Sequence, residues 1–207
     1  PNMPLVIEEN YTSVLLDQLR DSEVDVALIA LPMDVAGLNA WPVYDESFVV
    51  MMPPDHVLAD EVEIPAAQLA YHPLLLLGPG HCFREQVIEA CPKCVDPDAD
   101  GPRPQTGSSL ETIRHMVASG IGITVVPWTA IPAGIEPGVK DRNSDGWLTY
   151  VPFAGEPPVR QVMLVWRKSF GRVEAVEELH DCLVKLEQPG VMPLDVPAPL
   201  SLMTVPV

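Results

Sequence analysis

The chain has 207 residues, with 29 Asp and Glu against 12 Lys and Arg, a formal net charge of −17 and 24 prolines. A surface this acidic repels phosphate, which excludes these residues as a direct nucleic-acid contact and as a partner for an anionic membrane. With 47% apolar residues the charge does not signal disorder, and the length suffices for a large core, as one domain or two small ones.

The chain opens at Pro1 and enters a strand-like run at once, so it reads as an excised fragment. No basic stretch precedes an apolar one and no apolar run nears about 18 residues, so neither a signal peptide nor a membrane helix is expected, and the expected compartment is cytoplasmic. Pro4 to Glu8 is an apolar run predicted as a strand. Thr12 or Ser13 is placed to cap a helix carrying Val14, Leu15, Leu16 and Leu19. Val24 to Leu31 is nearly continuous apolar sequence, as a strand covered on both faces would be. Strand–helix–strand at this spacing predicts a βαβ unit with a parallel sheet.

Glu46 to Met52 reads as a strand ended by Pro53-Pro54, Ile64 to Leu69 as a short helix, and Leu74 to Leu77 as a buried strand running into Gly78-Pro79-Gly80. Phe83 to Ala90 is helical, and Val95 to Gly107 is a loop rich in Pro, Asp and Gly. Ser108 with Glu111 forms a capping box for a helix with an apolar stripe of Leu110, Ile113 and Val117, and Gly120 ends it. Ile121 to Val126 and Val159 to Trp166 are strands, Pro132 to Gly146 is loop, and Val173 to Leu186 is an amphipathic helix. From Gln188 the sequence is Pro-punctuated and aperiodic, so disorder is expected; docking through Leu194, Leu200, Leu202 and Met203 is the alternative.

The order is α/β throughout. It predicts two subdomains, one from residues 1–45 with 156–188 and one from 46–155, followed by a tail over 189–207. The chain would cross between them twice, leaving a cleft where they meet.

Four cysteines occur, three of them close together: Cys82, Cys91 and Cys94, with Cys182 on the last helix and expected in its core. Cys82 follows a strand and a Gly-Pro-Gly turn and starts a helix. The unpaired first N–H groups there favour thiolate over thiol, as do His81 and Arg84 beside it, and thiolate is the nucleophile. The bland alternative is a small buried hydrophobe. One helix from 82 to 91 would separate the two Cα atoms by about 13 Å, beyond the reach of a disulfide. If this pair bonds, the helix must unravel in part and oxidation becomes a change of fold. Cys91-Pro-Lys-Cys94 is also a C-x-x-C that could serve thiol–disulfide exchange, although it closes a helix instead of opening one. His81, Cys82, Cys91 and Cys94 could in principle bind zinc, but their spacing is unusual for it. His56, His72, His115 and His180 show no ligand spacing and are expected at the surface or in loops. No Ser-His-Asp order, phosphate-binding loop or dinucleotide fingerprint occurs.

Gly80-His-Cys-Phe-Arg-Glu-Gln followed by Cys91 resembles the redox-switch segment of the OxyR family, the peroxide-sensing LysR-type transcription regulators. Further similarity runs through Glu9-Asn-Tyr-Thr-Ser-Val-Leu-Leu-Asp-Gln-Leu, Val24-Asp-Val-Ala-Leu-Ile, Asp55-His-Val-Leu-Ala and the segment from Ser109 to Pro127, and covers residues 4 to about 187. The resemblance implies a LysR effector-binding domain, two Rossmann-like α/β subdomains similar to a periplasmic binding protein. Cys82 would be the peroxidatic cysteine, oxidised by hydrogen peroxide to a sulfenic acid, and Cys91 the resolving cysteine that closes the disulfide. Thr12, His81 and Arg84 would form the peroxide pocket.

It implies further a cytoplasmic transcription activator of the oxidative stress response and not an enzyme, with homodimers pairing into tetramers. DNA would be bound through a winged helix-turn-helix that these residues do not include, RNA polymerase would be a partner, and a glutaredoxin- or thioredoxin-type protein would be the reductant. No cofactor or metal is expected. Two departures stand out. Cys94 is extra to the family pattern and is an alternative resolving residue, and Ser22 stands where the pattern often has Gly. A LysR-type domain sensing a small organic effector, or a thiol oxidoreductase, are the competing readings.

Overall fold

A computed structural model describes residues 4–96, 101–139, 143–194, 196, 197 and 199. The chain forms a six-stranded sheet ordered β1-β7-β2-β5, with β6 and β8 also on β2, and a separate parallel pair of β3 and β4. The strands are β1 (Val26–Ala30), β2 (Leu38–Met52), β3 (Leu75–Leu77), β4 (Gln105–Gly107), β5 (Thr124–Pro127), β6 (Thr149–Pro152), β7 (Val159–Arg167) and β8 (Val191–Pro193). The helices are α1 (Thr12–Arg20), α2 (Cys82–Ala90), α3 (Leu110–Ala118) and α4 (Val173–Val184), with 3₁₀ turns at Ala66–Tyr71, Pro92–Cys94 and Trp128–Ala130.

β2 organises the molecule. Its first ten residues pair antiparallel with β7, from Leu38 opposite Arg167 to Ser47 opposite Val159, with a register shift between Pro42 and Tyr44. Its last residues pair with β5 on one edge and β6 on the other. β7 lies between β2 and β1, so both its edges are paired, and its side chains divide by period two between the two faces of the sheet. Met163 and Val165 meet Leu16 and Leu19 of α1 in one cluster; Leu164 and Trp166 meet Val176 of α4, with Trp41 and Val43, in another. A third and larger cluster gathers Phe48 to Met52, Leu74 to Leu77, Phe83, Val87, Ile113, Val117, Val125, Val126, Tyr150, Val151 and Phe153.

Several expectations need correction. Pro4 to Glu8 is not a strand: no described strand pairs with it, and Leu5, Val6 and Ile7 are exposed. An apolar run reports a wish for burial, and a strand also needs a neighbour. The parallel βαβ unit therefore does not form, and β1 pairs antiparallel with β7. β2 starts eight residues before the predicted Glu46, because the segment from Leu38 to Asp45 pairs with β7 across a register shift between Pro42 and Tyr44. The 95–107 loop ends in a short strand, β4, parallel to β3. The cap of α3 is Ser109, not Ser108: its Oγ accepts from Thr112 N–H at 3.1 Å.

Cys182 is exposed, not core. α4 buries Val176 and His180, and position 182 falls on the far side of that stripe. His180 is buried, not a surface residue: it stacks on Trp41 at 3.7 Å and its Nε2 donates to Pro42 O at 3.0 Å. The beginning of the tail docks. β8 pairs with Tyr44 to Glu46, Leu194 N–H donates to Val43 O, and Trp41 Nε1 donates to Val196 O at 2.9 Å. Leu200, Leu202 and Met203 lie outside the described residues. Ser22, at the family's glycine position, has φ +67°, the left-handed region where glycine carries no penalty.

Candidate functional site

β3 runs out into Gly78-Pro79-Gly80, where Gly80 takes φ +96° and turns the chain into α2. His81 precedes the helix with extended backbone and no side chain caps it; Arg84 N–H donates to His81 O at 3.0 Å, and Cys82 sits at the positive end of α2 with no side-chain cap. Four residues fix the helix. Phe83 is buried edge-on against Phe48, with ring centres 5.1 Å apart, and Val87 is buried behind it. Arg84 Nη1 donates to Leu77 O at 2.8 Å, back onto the strand that leads into the helix. Gln86 Nε2 donates to Leu31 O at 2.6 Å, which ties α2 to the end of β1, while its buried Oε1 has no partner.

The Cys82 thiol is free and partly exposed. It opens onto a cleft of about 380 Å³ whose lining includes Tyr11, Thr12, Tyr44, His81, Cys82, Phe83 and Arg160. The Thr12 hydroxyl stands 3.5 Å from Cys82 Sγ. Thr12 or Ser13 was expected to cap α1, yet the residue before the helix is Tyr11 and no side chain caps it. The hydroxyl faces the sulfur instead of a backbone amide. Tyr11 stacks obliquely on His81, 4.7 Å between ring centres, and His81 Nε2 donates to Ser108 O at 3.2 Å.

Of the expected pocket residues, the structure thus brings Thr12, His81 and Cys82 together, whereas the Arg84 guanidinium is engaged at Leu77 O and does not line the cleft. The cation in the cleft is Arg160, 5.4 Å from the centre of the Phe83 ring. Its Nε donates to Glu46 Oε2 at 2.7 Å, and the fully buried Glu46 also accepts from Thr129 N–H through Oε1. Burial, and then the Glu46 carboxylate, raise the Tyr44 phenol above its ordinary value, so at neutral pH it is a hydroxyl that can donate into the cleft. Sequence reasoning missed Arg160 and Tyr44. The available signal was a pair of opposite charges in two strand-forming segments, Glu46 and Arg160, which β2–β7 pairing sets face to face.

Cys91 and Cys94 are joined by a disulfide across the 3₁₀ turn that follows α2, with Cα atoms 5.6 Å apart. Both are buried. Cys91 is thus engaged with Cys94 while Cys82 stays free and α2 stays whole. Among the described residues, no group of three or more His, Cys, Asp or Glu is placed to hold a metal ion, and no helix is long and apolar enough to cross a membrane.

The LysR substrate binding domain model matches residues 1–188. A Mycobacterium avium protein named "Probable hydrogen peroxide-inducible genes activator" is 39% identical over 187 residues, which is 90% of this chain and 57% of that protein. The chain therefore spans little more than half the length of the curated relative it matches. Among solved structures, the reduced OxyR regulatory domain of Pseudomonas aeruginosa superposes with a TM-score of 0.75 at 42% identity, covering 89% of this chain and 84% of that one. A reduced OxyR from N. meningitidis gives 0.79 at 34% identity, covering 94% and 86%.

Proposed function

The chain belongs to the LysR substrate-binding domain family, and from that premise we propose that it is the peroxide-sensing regulatory domain of a transcription activator of the OxyR type. The observation that carries this reading is the free Cys82 thiol at the uncapped start of α2, facing the Thr12 hydroxyl in an open cleft. The names of the relatives that match most of the chain agree with it.

The chemistry follows from that geometry. The Cys82 thiolate attacks one oxygen of hydrogen peroxide, the O–O bond breaks, and hydroxide leaves with the bonding pair. Its developing charge needs donors. Thr12, Tyr44 and Arg160 line the cleft, so they take the place that the sequence assigned in part to Arg84. His81, tied to Ser108 O and stacked on Tyr11, holds the turn before the sulfur.

The Cys82 sulfenic acid then condenses with the Cys91 thiol, releasing water and leaving a Cys82–Cys91 disulfide. Two conditions apply. Cys91 must first be released from Cys94, and α2 must unravel, because nine residues of helix hold the two Cα atoms about 13 Å apart. Unravelling breaks the Gln86 bond to Leu31 O and the Arg84 bond to Leu77 O, so the change spreads to β1 and β3.

In this reading residues 46–155 carry the redox cysteines Cys82, Cys91 and Cys94 in one subdomain, residues 1–45 with 156–188 form the other, and the start of the 189–207 tail braces β2. The altered surface is passed to a homo-oligomer. Promoter DNA is contacted by a winged helix-turn-helix outside these residues, RNA polymerase is the downstream partner, and a glutaredoxin- or thioredoxin-type dithiol resets the disulfide. The site of action is the cytoplasm. Turnover as an enzyme is not part of the role.

The test is thiol mapping of the pre-reduced chain after one equivalent of hydrogen peroxide. Cys82 is expected to lose its free thiol and to appear bonded to Cys91, with loss of helical circular dichroism. Thr12→Val is expected to slow the loss of the Cys82 thiol several-fold. Unmodified Cys82 at the earliest times, with no Cys82–Cys91 bond at any later time, overturns the reading. The volume of the cleft, far larger than peroxide needs, favours a small organic effector as the second reading. A ligand-induced rise in melting temperature that survives Cys82→Ser would support that alternative.

A further inference from the structure

Cys94 is the residue that the peroxide-sensing role leaves without a task, and the structure records it bonded to Cys91. The two possible partners of Cys91 make different demands on the fold. Bonding to Cys94 takes one short turn: Cys94 N–H donates to Cys91 O at 3.0 Å, the Cα atoms are 5.6 Å apart, and α2 remains complete up to Cys91, whose N–H donates to Val87 O. Bonding to Cys82 requires the opposite ends of α2 to meet, at the loss of its hydrogen bonds and of the Phe83 and Val87 burial. The Cys91–Cys94 disulfide is therefore the oxidised form compatible with the intact helix.

Resting on the reading above, in which Cys82 and Cys91 bond after peroxide, we propose that Cys94 is a resetting thiol that returns the switch to its starting fold before any reductant acts. The Cys94 thiolate attacks Cys91 Sγ in the Cys82–Cys91 disulfide. A Cys91–Cys94 bond forms, the Cys82–Cys91 bond breaks, and its electron pair leaves on Cys82 as thiolate. No oxidant is consumed in this step. The two oxidising equivalents delivered by peroxide move to Cys91–Cys94, and Cys82 is again free beside Thr12, the arrangement the structure shows.

Refolding of α2 drives the exchange forward, and three residues of chain keep the attacking sulfur at high effective concentration. A dithiol reductant then opens Cys91–Cys94, itself becoming a disulfide. Both sulfurs are buried, so it reaches them by a local opening at the exposed Pro92-Lys93 turn, without α2 having to unravel. Until that happens Cys91 is unavailable. A second peroxide then oxidises Cys82 but cannot close the switch, so the signal is a pulse whose repetition depends on the reductant supply.

The experiment follows disulfide connectivity with time. The pre-reduced chain receives one equivalent of hydrogen peroxide in reductant-free buffer, is alkylated at intervals and is digested with trypsin. Cleavage after Arg84 and Lys93 places the three sulfurs on separate peptides. Cys82–Cys91 is expected to appear first and then vanish as Cys91–Cys94 rises, with helical circular dichroism recovering in step. In Cys94→Ser the Cys82–Cys91 bond is expected to persist and the helix to stay lost. Equal persistence of Cys82–Cys91 in both proteins overturns the resetting role and leaves the sensing role standing. Absence of Cys82–Cys91 in Cys94→Ser at every time overturns both.

Discussion

At the scale of single residues, Thr12 illustrates how a side chain typical of one task is used for another. Its hydroxyl lies against the Cys82 sulfur and the start of α1 goes without a side-chain cap, a position at which such a cap is ordinarily worth about 1 kcal/mol. His56 and His72 carry a different consequence. Their rings meet edge to face at 4.8 Å, and Leu58 N–H donates to His56 Nδ1. Burial lowers the pKa of both, and for His56 the charge of His72 adds to the effect against the opposing Asp55. A histidine whose folded value lies below its unfolded one, about 6.5, contributes stability that is fully present above that pH and lost as pH falls through the folded value. The melting temperature is therefore expected to decline on going from about pH 7 to pH 5, and His72→Gln to flatten that slope; parallel slopes in the two proteins would contradict it. Thr12, His81 and Cys82 could be singled out from sequence because each sits in a local motif. Arg84 was misplaced and Arg160 overlooked for one reason: adjacency along the chain says which residues are near a cysteine, and strand pairing decides which cation reaches its cleft.

At the scale of elements, α2 could be read from sequence to within one residue, because a Gly-Pro-Gly turn opens it and Pro92 closes it. The first half of β2 and all of β8 could not, although Glu46 to Met52 was legible as a strand. Disorder was expected from Gln188 on and no strand before Glu46, and in both places the pairing depends on partners remote in sequence. Gly190 is the joint that lets β8 lie on β2. It has φ +72°, and a Cβ there would collide with the ring and Cβ of Trp128, while its carbonyl accepts from Ser47 N–H at 2.8 Å. Gly190→Ala is expected to cost about 2 kcal/mol, since strain in the left-handed region and overpacking act together. It should lower the urea midpoint and shift tryptophan emission as β8 leaves β2. An unchanged midpoint would show that β8 contributes nothing to stability.

At the scale of the whole molecule, the acidity that excluded direct contact with DNA still describes these 207 residues. In the proposed function it belongs to the sensing half of a longer protein, which fits a chain spanning 57% of its relative's length. The α/β class was legible because the long apolar runs became buried strands and the amphipathic stretches became the helices covering them. The direction of strand pairing was not, since periodicity reports which faces are buried and is silent about neighbours. β2 carries a final consequence. Trp41 and Val43 belong to one apolar cluster, Phe48 to Met52 to another, and both stand on this single strand. Neither cluster can melt and leave its share of β2 in place for the other. Calorimetry is expected to give one transition, with the van't Hoff enthalpy equal to the calorimetric one. The central amides of β2 should be the last in the protein to exchange with deuterium, because only global unfolding frees them.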